Sequence, residues 1–231
     1  MAGGGVGAVE LRSVRVLAFD VYGTLFDLGS LVEAARGVAP DPAGFVAMWR
    51  SKQLEYALLL SMMGRYERFR VVTERALRYV SRRLGLGLGE AEMRRLLEAW
   101  LRLRPYPDVP RALPGLASRY TVVALTNGDV DMVDELLRGA GVRHHFAAIF
   151  SAEEAGVFKP SPRVYGLVAR LGVQLWEVAL VSSNPWDAAG AANAGLKAVY
   201  VNRHGLPPEE LDAAPYLVVR DLEELAAALL G

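Results

Sequence analysis

The sequence predicts an α/β fold in which a doubly wound parallel sheet carries an inserted helical-bundle cap. Three observations predict it. Short apolar runs bounded by turn residues recur at Val14 to Phe19, Thr121 to Leu125, Ala148 to Phe150, Val178 to Ser182, Ala198 to Val201 and Tyr216 to Val219. Helix-like stretches separate the later runs, and strands that alternate with helices build a parallel sheet. One long segment, Leu28 to Pro110, breaks the alternation: it has helical patterning and no convincing strand.

Taken in order, Met1 to Glu10 lacks a positive n-region and a long apolar core, so it reads as a frayed tail and not a signal peptide. Val14 to Phe19 reads as a buried strand. Gly23 suits a sharp turn, so Asp20 falls where that strand ends and a loop begins. In open α/β sheets ligands bind at that edge, and a carboxylate there is a candidate nucleophile. Ala43 to Gly64, Glu67 to Leu84 and Glu90 to Leu103 read as helices; Gly85-Leu86-Gly87-Leu88-Gly89 divides the last two, and Pro105, Pro107 and Pro110 mark the exit. Leu58 to Met63 is apolar nearly all round, which puts that helix inside the cap or at a subunit contact. Val130 to Ala140, Pro162 to Leu171, Trp186 to Ala194 and Leu222 to Leu230 supply the remaining helices. The expected organisation is a Rossmann-like core of residues 11–27 and 111–231, with residues 28–110 as a helical cap.

With 231 residues, 52% of them hydrophobic, the chain is globular and long enough for a sizeable core. Its 26 basic residues balance 26 acidic ones, so no field attracts nucleic acid or anionic lipid. The absence of cysteine excludes disulfides, thiolate metal sites and a cysteine nucleophile. The apolar run Leu54 to Met63 is too short to span a membrane. These features predict a soluble, cytoplasmic protein that partners neither nucleic acid nor membrane. Lysine occurs only at Lys52, Lys159 and Lys197, and Asn and Gln are sparse, which fits a thermophilic source and a GC-rich genome alike. Gly3 to Gly7 precedes the first strand and Gly85 to Gly89 lies between helices, so neither is a dinucleotide fingerprint, and no Walker A sequence occurs.

Four strand ends or adjoining loops carry polar groups: Asp20, Tyr22 and Thr24; Leu125-Thr126-Asn127-Gly128; Phe158-Lys159-Pro160; and Val181-Ser182-Ser183-Asn184-Pro185-Trp186-Asp187. Each has a plain reading. A strand-end Asp is often a turn residue, a lysine is usually solvated, a helix arginine such as Arg50 is mostly a surface residue, and Asp187 could simply charge a helix N-terminus. Trp186 and Phe69 fit plain core, Tyr165 fits packing, and no histidine is assigned to catalysis. Together, in this order, with a helical insert after the first, the four resemble the motifs of the haloacid dehalogenase superfamily over essentially the whole chain from Val14.

Chemistry narrows the resemblance. Superfamily phosphatases usually carry a second Asp two residues after the nucleophile, to protonate an alkoxide; Tyr22 stands there. They also hold Mg²⁺ with an acidic pair in the fourth motif; Ser183 takes one of those places and leaves Asp187. A hard cation wants several oxygen ligands, and two carboxylates are gone. A halide leaves as a stable anion and needs no proton. Trp49-Arg50-Ser51-Lys52-Gln53-Leu54-Glu55-Tyr56, Arg65-Tyr66 with Phe69, the Ser182 to Asp187 run and Val201-Asn202-Arg203 look like the L-2-haloacid dehalogenases. Thr126 and Asp129 stand where Ser is common, and Ser51 where Gln is typical; these departures bear on substrate size more than on reaction type.

The resemblance implies a two-step hydrolysis of short L-2-haloacids to (R)-2-hydroxyacids, without metal or other cofactor, by an enzyme that often forms a homodimer. Asp20 is the implied nucleophile, with Thr24 in the same motif. Lys159 would keep Asp20 ionised and Tyr165 would support Lys159. Asp187 would orient or deprotonate water, assisted by Ser182 and Asn184. Arg50 and Asn127 would receive the halide, and Thr126 with the backbone N–H groups near Val21 and Tyr22 would bind the substrate carboxylate. Tyr22, Leu54, Phe69 and Trp186 would form a dry wall. The alternatives are a small-molecule phosphatase of the same superfamily, a non-catalytic binding module on this scaffold, and cleavage of a C–F bond or another small electrophilic acid by the same nucleophile.

Overall fold

Six of the apolar runs pair side by side in the computed structural model, which describes residues 11–207 and 209–231; the expected frayed tail lies outside the described residues. The strands are β1 (Val16–Phe19), β2 (Phe26–Asp27), β3 (Arg104–Pro105), β4 (Thr121–Thr126), β5 (Ala148–Ser151), β6 (Val178–Ser182), β7 (Lys197–Val201) and β8 (Leu217–Val219). One six-stranded sheet has the order β5-β4-β1-β6-β7-β8, and every pairing in it is parallel. Phe19 is in register with Ala124 on one side and Val181 on the other. The chain therefore winds outward from β1 in both directions, and Asp20 emerges at the switch point, where such sheets open a crevice. β1, β4, β6 and β7 are buried almost throughout, as central parallel strands covered on both faces must be.

The helices are α1 (Gly29–Ala34), α2 (Pro42–Met62), α3 (Phe69–Arg83), α4 (Glu90–Ala99), α5 (Val109–Arg119), α6 (Val130–Gly139), α7 (Ala152–Ala155), α8 (Pro162–Tyr165), α9 (Pro185–Asn193) and α10 (Leu222–Leu230). Helices α1 to α4 form the helical cap, with α2 packed along α3. Asp41 caps α2 by accepting from the Gly44 N–H at 3.0 Å, with Pro42 in its first turn.

The structure corrects several sequence expectations. The segment expected to hold no strand contains β3, which pairs antiparallel with β2, Phe26 opposite Pro105 and Asp27 opposite Arg104. Two-residue strands show no periodicity; this pairing exists because the chain returns to its point of departure and ties the entrance of the insert to its exit. Helix α4 stops at Ala99, four residues short of the expected Leu103, because Leu101 to Leu103 must turn to feed β3. Helix α5 was hidden by Pro110 and Pro114. A proline is tolerated in a first turn, and the buried stripe Val109, Ala112, Leu113 and Leu116 holds the helix, which packs on α10. The stretch Pro162 to Leu171 is one α-turn followed by a 3₁₀ helix, Gly166–Leu171. At the end of α2 only Leu60 is buried; Met62 is 84% exposed, and Leu58, Leu59 and Met63 lie open beside it. The cap does not bury that end, because a single helix face meets α3. No helix among the described residues is long and apolar enough to cross a membrane.

Candidate active site

Asp20 is held at the end of β1 by its own N–H, which donates to the Val181 carbonyl at 3.0 Å. Gly23, at φ 85°, then reverses the chain, a conformation that favours glycine. The Val21 carbonyl closes this turn by accepting from the N–H groups of Thr24, Leu25 and Phe26. The turn returns Thr24 beneath the carboxylate. Its hydroxyl donates to Asp20 Oδ2 at 2.9 Å and accepts from the Ser183 N–H at 2.8 Å.

Two more donors complete the shell. Asn184 Nδ2 reaches Asp20 Oδ2 at 2.8 Å and the Tyr22 carbonyl at 3.2 Å. Lys159 Nζ lies 3.2 Å from Asp20 Oδ1 and 2.8 Å from Asp187 Oδ2. Asp187, in the first turn of α9, also accepts from the Tyr165 hydroxyl at 2.7 Å on its other oxygen. Tyr165 thus supports Asp187 directly and meets Lys159 only through its ring, whose centroid is 5.9 Å from Nζ. Ser182 Oγ accepts the Asn184 N–H at 3.2 Å and so shapes the loop that carries Asn184.

Burial governs the charges here. It raises the Asp187 pKa; Lys159 pulls the value back, Asp20 pushes it further up, and the net direction is upward. For Lys159 burial alone favours the neutral amine, but Asp187 and Asp20 outweigh it and hold the ammonium above its ordinary value. Burial, then Asp187, raises Tyr165, which remains a hydroxyl donor.

The loop after β4 supplies the facing groups. Asn127 Oδ1 accepts from the Lys159 N–H at 2.8 Å, and Thr126 Oγ1 accepts from the Gly128 N–H at 3.0 Å. A Cβ on Gly128 would stand 2.6 Å from the Tyr22 ring, so only glycine lets loop and ring pack this closely. From the cap, Phe69 at the start of α3 places its ring 5.6 Å from that of Tyr22, and Trp100 lies 5.4 Å from Tyr22 on another side. Arg50 stands 5.9 Å over the Trp100 ring. Burial lowers its pKa, while Asp20, Tyr22 and Asp187 favour its charge; guanidinium stays protonated regardless. Leu54, one turn beyond Arg50 on the same face of α2, is partly exposed, as is Trp186 beside Asp187. The sequence-predicted residues thus cluster around Asp20, with Leu54 and Trp186 toward the margin.

The family model of haloacid dehalogenase-like hydrolases matches residues 14–195. The chain belongs to this family. Within it, the hydrolase is 38% identical to an (S)-2-haloacid dehalogenase of Pseudomonas putida, over 96% of this chain and 99% of that protein. It is 36% identical to haloacetate dehalogenase H-2 of Moraxella sp. (strain B), over 90% of this chain and 95% of the relative. Its fold is similar to the solved structure of L-2-haloacid dehalogenase from Xanthobacter autotrophicus with chloropropionic acid covalently bound, at a TM-score of 0.86 and 35% identity, covering 94% and 99% of the two chains.

Several residues that shape the hydrolase's site escaped the sequence reading. Arg203 donates to the Thr24 carbonyl at 3.0 and 3.2 Å and to both oxygens of Asp108 at 2.8 and 3.0 Å; its motif was legible, its task was not. Gln53 and Thr73 bond across α2 and α3 in the core of the cap; Gln53 stood within the cap signature, but nothing in the sequence paired it with Thr73. Trp100, fully buried against Tyr22, looked like any cap aromatic.

Proposed function

We propose that this hydrolase is an (S)-2-haloacid dehalogenase that converts short L-2-haloacids to (R)-2-hydroxyacids in the cytoplasm through an ester on Asp20. One observation carries the proposal: a strand-end carboxylate held by Thr24, Asn184 and Lys159 faces a cap arginine that has no carboxylate partner among the described residues. A half-buried cation with no carboxylate to neutralise it is a seat for an anion. The covalent chloropropionic acid adduct of the Xanthobacter autotrophicus structure supports an ester here, and the Moraxella relative's name supports short acids.

In the first step an Asp20 oxygen attacks the halogen-bearing carbon from behind. A C–O bond forms, the C–halogen bond breaks, and halide leaves with the electron pair toward Arg50 and Asn127. The substrate carboxylate lies against the Thr126 hydroxyl and the N–H groups of Val21 and Tyr22, which donate to no acceptor among the described residues. Tyr22, Phe69, Leu54 and Trp186 exclude water, which strengthens each charge inside. In the second step water attacks the ester carbonyl carbon of Asp20. Asp187 takes its proton, with Ser182 and Asn184 shaping the loop around it and Tyr165 holding its far oxygen. The bond between the Asp20 acyl carbon and the substrate oxygen then breaks, and Asp187 returns its proton to that oxygen so that the hydroxyacid departs. The second proton of water is lost to solvent as Asp20 becomes a carboxylate again, and the substrate carbon has inverted once.

The donor set argues for metal independence. The Lys159 ammonium already lies between the two carboxylates, and Tyr22 and Ser183 occupy places where further anionic oxygens would be needed. Halide release should occur from L- but not D-2-chloropropionate, unchanged by EDTA, with negligible turnover of p-nitrophenyl phosphate. Phosphate-ester turnover that EDTA abolishes and Mg²⁺ restores would favour the phosphatase reading instead. The exposed Leu58, Leu59, Met62 and Met63 at the end of α2 support a homodimer formed through the cap.

A further inference from the structure

Arg50 makes one side-chain hydrogen bond among the described residues: its Nη1 donates to Gln53 Oε1 at 2.6 Å, one turn along α2. Gln53 is fully buried, and its amide is used at both ends. While Oε1 accepts from Arg50, Nε2 donates to the hydroxyl of Thr73 on α3. The hydroxyl in turn donates to the Phe69 carbonyl at 2.8 Å, and the Thr73 carbonyl accepts from Trp49 Nε1 at 2.9 Å. The orientation of the amide is decided by its neighbours, since guanidinium can only donate. At its far end the chain reaches Phe69, whose ring packs on Tyr22 and whose N–H donates to Asp129 Oδ1 at 2.7 Å. The position of Arg50 is therefore referenced, bond by bond, to the loop that also carries Asn127.

We propose that Gln53, anchored by Thr73, is a positioning residue that aims the Arg50 guanidinium at the departing halide; this rests on the dehalogenase reading above. The choice of an amide has a physical reason. A carboxylate at this point would hold Arg50 equally well but would neutralise it, and a neutralised guanidinium gives a developing halide little. An apolar residue would leave both Arg50 and Thr73 without their partner. A neutral acceptor orients the cation and leaves its charge for the leaving group.

The test is rapid-mixing measurement of halide release and of ester breakdown, with L-2-chloro- and L-2-bromopropionate, on wild type, Gln53→Leu, Gln53→Glu, Thr73→Val, Arg50→Ala and the Gln53→Leu/Arg50→Ala pair. Gln53→Leu should slow halide release about tenfold, more for chloride than for bromide, while ester breakdown changes less than about twofold. Gln53→Glu, which keeps an acceptor for Arg50, should slow halide release as well, whereas a packing role would be largely rescued by it. In the Arg50→Ala background, Gln53→Leu should add nothing further, as expected of two residues acting as one unit. An equal loss with or without Arg50, or equal slowing of both steps, would reduce Gln53 to a strut between α2 and α3. Should Gln53→Leu fail to fold, Thr73→Val, checked by its melting curve, carries the same comparison. A wild type that releases no halide defeats the dehalogenase reading and this inference with it; a wild type that turns over while the coupling is absent defeats this inference alone.

Discussion

Both oxygens of Asp20 are occupied by donors, Lys159 on one and Thr24 with Asn184 on the other. Such a carboxylate is already aimed and needs little rearrangement to react. Asp20→Asn keeps the shape and removes the nucleophile, so activity should fall by about three orders of magnitude or more with the melting temperature nearly unchanged. In ¹⁸O water the hydroxyl of the first product should carry no label, since its oxygen comes from Asp20; label in that first turnover would mean direct attack by water. Asp187 brings a pH signature. Burial raises its pKa, and it must be ionised to take the proton of water. Ester breakdown follows the irreversible loss of halide, so the acid limb belongs to kcat and should lie above the ordinary aspartate value near 3.9. For stability the sign is the reverse: a raised carboxyl favours the folded state below its unfolded value, and that contribution is lost as pH rises through the folded one. Acid should therefore stop turnover while this residue, once protonated, favours the folded state. An acid limb at or below the ordinary value would remove Asp187 as the base.

Helix α3 starts at the site, and its own flanking residue, Arg68, makes no side-chain cap. The core supplies one instead. Asp129, fully buried, accepts the Phe69 N–H at 2.7 Å and the Arg70 N–H at 3.2 Å, and its second oxygen also takes Arg70 Nε at 3.0 Å. A carboxylate placed on a helix N-terminus satisfies orphan donors and opposes the helix dipole. Arg68 and Arg70 extend the join to Asp131 at 2.9 and 2.6 Å. Those outer pairs are substantially exposed and contribute little; the buried acceptor matters more. Asp129→Ala should lower unfolding free energy by about 3 kcal/mol in a denaturant titration. A change within about 0.5 kcal/mol, the range of an ordinary surface substitution, would show that the cap is seated by packing alone.

Across the whole molecule, cap and core meet over Tyr22, Phe69, Trp100 and Phe158, whose rings form a continuous cluster. Exposed apolar residues occur singly at Trp176, Leu211 and Val218, whereas Leu58, Leu59, Met62 and Met63 gather at the end of α2. A cap-to-cap homodimer would cover them. Light scattering on wild type should give twice the chain mass, and Leu59→Lys with Met62→Lys should give the chain mass with the fold retained. A wild-type monomer at high protein concentration would leave that surface to some other use.

The sheet was legible in the sequence because buried parallel strands must be apolar runs, and six such runs mark its six strands to within two residues at either end. Asp20, Lys159 and Asp187 were legible because strand ends and the loops that follow them converge at one edge of such a sheet. Local pattern also carried the long helices of the cap. It did not carry β2 with β3, because a two-residue pairing is made by the chain's return and not by its composition. Nor did it carry the Gln53–Thr73 bond, the Asp129 cap on α3 or the grip of Arg203 on Thr24 and Asp108. Each joins polar groups far apart in the chain, and a polar residue looks the same in sequence whether its partner is water or a buried neighbour. Only the tertiary packing, by excluding water, decides which of them must find each other.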